Sequence, residues 1–208
     1  MNFLFSGLIA SILHVISGPD HLAAVTPLAI EEKKKSWLVG LSWGIGHTLG
    51  ILIVGLLFIA FKEFIPVEKI SMYSEQIVGI VLIIIGIRAF YHLWKHTKEV
   101  AHTHHHKNLS KRSILAALTV GTIHGLAGVS HLLAIIPTLA LPTRIDSVMY
   151  LSGFGVGSIS AMVIYAFSLG FITYTFSTAK KAGIVRGMSI LGGFAAIFVG
   201  IFWIGASL

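Results

Sequence analysis

Six stretches of this sequence, at about residues 3–30, 37–61, 74–95, 113–141, 147–176 and 185–206, stay apolar for twenty residues or more. That is the length an α-helix needs to cross the ~30 Å hydrocarbon core of a bilayer at ~1.5 Å of rise per residue. A transmembrane β-barrel would show short segments of alternating hydrophobicity, whereas these runs are continuous. Composition agrees: 11% of the 208 residues are charged, against about 25% in a soluble domain, and mean hydropathy is +0.89. The sequence predicts an all-α membrane protein with six transmembrane helices. MNFLFSGLIA lacks the positive n-region and cleavage site of a signal peptide, so it reads as the start of the first span.

Lys and Arg fix a sidedness. Eleven fall in the first, third and fifth connections, from Lys33–Lys35 through Lys95–Arg112 to Lys180–Arg186. The opposite side has three: Lys62, Lys69 and Arg144. The positive-inside rule then places both termini outside an inner (plasma) membrane and the His-rich connection 96–112 in the cytoplasm. The same distribution accounts for the net charge of +7 without a nucleic-acid partner. The chain has no cysteine, which removes disulfides and thiolate metal cages.

One segment departs from the pattern. Residues 14–21, HVISGPDH, set two histidines and an aspartate around a Ser-Gly-Pro break inside the first span. The segment has an echo: HVISGPDHLAAVTPLAI (14–30) and HGLAGVSHLLAIIPTLA (124–140) align His14 with His124, Gly18 with Gly128, Asp20 with Ser130, His21 with His131 and Pro27 with Pro137. GIGHT (44–48) answers GVGSI (155–159), and Gly79 and Gly86 match Gly193 and Gly200 in spacing. The chain therefore reads as two three-helix units, 1–95 and 113–208, joined by the loop 96–112. Because three is odd, the units lie inverted in the membrane, an arrangement that recurs in secondary transporters with broken helices and a midplane site. The first and fourth helices are the ones expected to be interrupted.

By helical rise, His14, His21, His47, His124 and His131 converge on one layer near the bilayer centre, with Asp20 beside them. An ionisable group at that depth costs on the order of 3 kcal/mol and needs partners. Imidazoles with one carboxylate suit nickel, cobalt, zinc or ferrous iron, and protonation would compete with the ion as pH falls. A lone buried histidine is usually a hydrogen-bonded core residue, but five at one depth with an aspartate point to ligation. The metal set is His14, Asp20, His21 and His47, with His124 and His131 as second-copy members that interhelical hydrogen bonding would also explain. Pro19 takes the helical partner from the Val15 carbonyl, and Gly18 permits backbone angles other residues resist. In an unbroken helix His14 and His21 would sit ~10 Å apart, so unwinding at Ser17-Gly18-Pro19 is what brings them together. The tract His102, His104, His105 and His106 is either a weak metal site or a solvated hinge.

These residues resemble a known family. HVISGPDHLAA is similar to the His-x4/5-Asp-His signature of nickel/cobalt permeases, the NicO group with its UreH-type and HupE/UreJ-type relatives. SWGIGHTLGI (42–51) resembles the Gly-His-Ser/Thr motif of a following span. The resemblance covers most of the chain and implies metal selection by His14, Asp20, His21 and His47. The spacing here is five residues, nearer the HupE/UreJ form, and six spans are fewer than the eight of larger members. The group includes importers and exporters.

The expected function is transport of a divalent transition-metal ion, nickel or cobalt first, zinc or ferrous iron next, with no prosthetic group. Further partners this leaves room for are a second copy of the chain and a metallochaperone at the His-rich loop. The rival from another class is an intramembrane metal-dependent hydrolase or oxidase. No HExxH and no second intramembrane carboxylate suitable as a general base accompany the cluster. A structural or sensory subunit is the third reading.

Overall fold

The computed structural model describes residues 3–61, 67–98, 109–126, 140–177 and 182–206. Their regular structure is entirely helical: α1 (Phe3–Ser17), α2 (Pro19–Glu32), α3 (Ser36–Phe61), α4 (Val67–Lys98), α5 (Leu109–Leu126), α6 (Arg144–Thr175) and α7 (Ala182–Ala206). A 3-10 turn, Lys33–Lys35, joins α2 to α3. Among the described residues, four stretches are long and apolar enough to cross a membrane: Pro19–Val54, Glu75–Lys95, Arg144–Thr175 and Gly183–Ala206. The first of these bends at Lys33, where φ is 50°, so α2 and α3 are separate helices.

The expected first span is two helices, α1 and α2, meeting at Gly18. The break is narrower than the sequence suggests: Ser17 ends α1, Pro19 opens α2, and Gly18 alone leaves the helical conformation. Proline suits that place, because the N–H it lacks would be an orphan at a helix start. The Gly18 amide still donates to the His14 carbonyl at 3.1 Å. In the fourth span α5 ends at Leu126, and the expected interruption at 127–139 lies outside the described residues.

Three helix pairs make up the frame. α1 lies along α6, α3 along α5, and α4 along α7. Glycines set their closeness. A Cβ on Gly79 would lie 2.6 Å from the Gly200 carbonyl oxygen, and one on Gly200 would lie 2.5 Å from that of Gly79. A Cβ on Gly86 would lie 2.6 Å from the Gly193 carbonyl oxygen, so α4 and α7 run antiparallel. The Leu8 carbonyl of α1 covers Gly157 of α6, and the Leu118 carbonyl of α5 covers Gly46 of α3. Small residues at such crossings let backbones approach where apolar burial gives no drive to associate in lipid.

α2 fills the space between the pairs, packing on α3, α6, α7, α4 and α5. Its residues Asp20, His21, Ala23–Val25 and Pro27–Ile30 are buried. Val25, Leu28 and Ala29 join Val39, Trp43, Ala117, Met162 and Ala166 in the main apolar core. Large side chains cover the outside: Phe198 is 73% exposed and Leu191 71%, a surface fit for hydrocarbon rather than water.

Two polar contacts tie α2 to its neighbours. Arg88, the cation in the third span, places Nη2 3.0 Å from Glu31 Oε2 at the end of α2. The Thr26 hydroxyl donates to the Leu22 carbonyl at 2.7 Å, so the Tyr165 hydroxyl donates to Thr26 Oγ1, at 2.6 Å, tying α2 to α6. Side-chain bonds between membrane helices average about 0.6 kcal/mol, with a maximum near 1.7. Tyr165→Phe is therefore expected to lower stability to unfolding in mixed micelles by ~1 kcal/mol. A loss above ~3 kcal/mol would mean the tyrosine supports far more than this bond.

Candidate metal centre

The centre forms where the break in the first span meets α3 and α5. His14 lies in the last turn of α1, Asp20 and His21 in the first turn of α2, His47 on α3 and His124 in the last turn of α5. The one-residue break turns the chain enough to bring the His14 and His21 rings to 4.7 Å. His47 lies 5.1 Å from His21 and 5.9 Å from His14, stacked on the latter. His124 lies 4.9 Å from His21 and 5.8 Å from His47. Asp20, His21, His47 and His124 are buried; His14 is half-buried.

Asp20 links the two halves of the chain. Nε2 of His124 donates to Asp20 Oδ2 at 3.0 Å, and Asp20 Oδ1 lies 3.7 Å from Nδ1 of His21. One ligand atom each from His14, His21 and His47 lie within 4.8 Å of one another, and so do atoms from Asp20, His21 and His124. Ligands bonded at ~2.1 Å to a tetrahedral ion stand ~3.4 Å apart, so small side-chain rotations would close either set.

Gly18 has a different role from the one its sequence context suggests. Its φ of −86° and ψ of 101° are open to any residue, so conformational freedom is not the reason for glycine here. Space is the reason. A Cβ at Gly18 would overlap Nδ1 of His21 and come within 2.9 Å of Asp20 Oδ1. The His14 carbonyl accepts from the Gly18 amide at 3.1 Å and from Ser17 Oγ at 3.2 Å.

Two aromatic walls are not evident from the sequence. Trp43, fully buried and one turn before His47, stacks on it at 4.6 Å and lies 5.5 Å from His21 and 5.7 Å from His124. The i, i+4 spacing of Trp43 and His47 was the available signal. Phe154 of α6 lies 5.8 Å from His14. Five of the six expected ligands come together; His131 lies outside the described residues, as do His102, His104, His105 and His106.

Known proteins are similar in sequence to this chain. The chain is 33% identical to the urease accessory protein UreH of Bacillus sp. strain TB-90, over 97% of this chain and 90% of that one. A Methanocaldococcus jannaschii protein whose name assigns it to nickel/cobalt efflux is 23% identical over 97% of this chain and 92% of its own. The chloroplast protein FOR GROWTH AND FERTILITY 2 of Arabidopsis thaliana is 36% identical over 80% of this chain, which spans about half of that protein's length (46%). No protein-family model and no solved structure matches the chain. With one-third identity to UreH across nearly the whole of both proteins, this membrane chain belongs to the UreH/HupE-type family of the nickel/cobalt transporter group.

Proposed function

We propose that this protein carries a divalent transition-metal ion, nickel or cobalt, across a membrane through the His14, Asp20, His21, His47 and His124 cluster, with His131 as a further ligand. The observation that carries the reading is the cluster itself: four imidazoles and a carboxylate drawn from four helices into one largely buried site. Groups of this kind are expensive inside a membrane and mark ion pathways. The nickel/cobalt efflux name of the archaeal relative supports the choice of cargo.

The architecture proposed with it is a pair of inverted three-helix repeats, 1–95 and 113–208, termini outside and loop 96–112 cytoplasmic. Two packing relations support it. A shift of 110 carries Leu8 to Leu118 and a shift of 111 carries Gly157 back to Gly46, so the α1–α6 contact repeats as the α5–α3 contact. The Gly79–Gly200 and Gly86–Gly193 contacts exchange with each other in the same way. Opposed movement of the repeats about the cluster would open it to each side in turn.

Purified protein in liposomes loaded with a metal-sensitive dye tests this. Nickel or cobalt is expected to enter well above the protein-free rate. If nickel, cobalt, zinc and ferrous iron all stay outside, transport is excluded.

A further inference from the structure

We propose that the cluster holds its ion at two successive positions, a neutral one framed by His14, His21 and His47 and an acidic one framed by Asp20, His21 and His124. His21 belongs to both. The proposal rests on the transport reading above and gives that site an internal order.

The geometry divides the ligands in this way. Each triad brings one donor atom per residue within 4.8 Å of the other two, and among the described residues the five side chains form two such sets rather than one. His21 stands between them, its ring 4.7 Å from His14 on one side and 4.9 Å from His124 on the other. An ion could pass from one triad to the other by exchanging two ligands while the third stays bound.

The triads differ in charge and in burial. Three neutral imidazoles leave a dication uncompensated, whereas Asp20 removes one unit of its charge, which matters most in a low-dielectric interior. The acidic triad is therefore the tighter position. Its members are all buried, while His14 of the neutral triad is half-buried. Conduction through a narrow site needs binding strong enough to admit the ion and a weaker neighbouring position from which it can leave. Adjacent tight and loose triads with a common ligand meet both needs.

Cobalt(II) is the probe, because its visible spectrum reports ligand number and type. Binding is measured on the purified full chain in detergent, and flux on the same preparation in liposomes. His14→Ala is expected to keep one bound Co2+ within about threefold of the wild-type affinity, with flux down at least about tenfold. His14→Gln, which preserves volume, repeats that arm. Asp20→Asn should bind at least about tenfold more weakly with an altered spectrum, and His21→Ala about 100-fold more weakly. The proposal is overturned if His14→Ala and His14→Gln lose as much affinity as His21→Ala, the mark of a single composite site. It is also overturned if both keep wild-type flux. Wild-type liposomes from which nickel, cobalt, zinc and ferrous iron are all excluded would instead remove the transport reading itself.

Discussion

Asp20→Ala is expected to cut metal flux in liposomes by two to three orders of magnitude while the protein still purifies as a helical, monodisperse species. The carboxylate is 6% exposed and faces two imidazoles, so it supplies the formal negative charge of the acidic triad. Removing one partner of a buried ionic contact costs ~3–5 kcal/mol, which is roughly 140- to 4,000-fold in an equilibrium constant. The fold survives because α2 is held by its apolar contacts with α3, α6 and α7. Asp20→Asn separates charge from shape: the amide oxygen still accepts from His124, so flux that stays near wild type in this variant would show that charge compensation is not what Asp20 supplies. The dye assay above measures both.

The second large effect is expected from a single methyl group. Gly18→Ala places a Cβ on the position of His21 Nδ1, with Cε1 at 2.5 Å and Asp20 Oδ1 at 2.9 Å. Real Cβ atoms do not approach so closely, so the imidazole must leave its place. His21 is common to both triads, and losing it should lower Co2+ affinity and flux by about 100-fold. The backbone at Gly18 accepts alanine without strain, so thermal stability in detergent should change by less than ~1 kcal/mol. A variant that melts far earlier but transports normally would reverse this account, making Gly18 a packing residue and not a guard of the site.

Much of the fold is legible in the sequence, for reasons visible in particular residues. Apolar runs of twenty residues dictate helices, and α3, α6 and α7 fall within a few residues of the stretches read from hydropathy. Family membership can be read from His14, Asp20, His21 and His47, whose spacing is local and survives without coordinates. The hidden features depend on how helices rotate against one another. The hydrogen bond from His124 to Asp20 and the Trp43 stack on His47 are of this kind. Arg88 is placed in its span by the sequence, but its partner Glu31 lies on another helix, 57 residues away in the chain. Gly18 stands out in the sequence for the wrong property, since a sequence shows that a side chain is missing but not what occupies its place.

The short first helix has a consequence for biogenesis. α1 is 15 residues long, about 22 Å of helix, too short to cross the hydrocarbon core by itself, and its continuation into α2 brings Asp20 and His21 into the same span. The hydrogen-bond donor to Asp20 is 104 residues further along the chain. Asp20 therefore gains this partner only once α5 has joined the fold. The bond that completes the centre is thus also the mark of a chain whose two halves have come together.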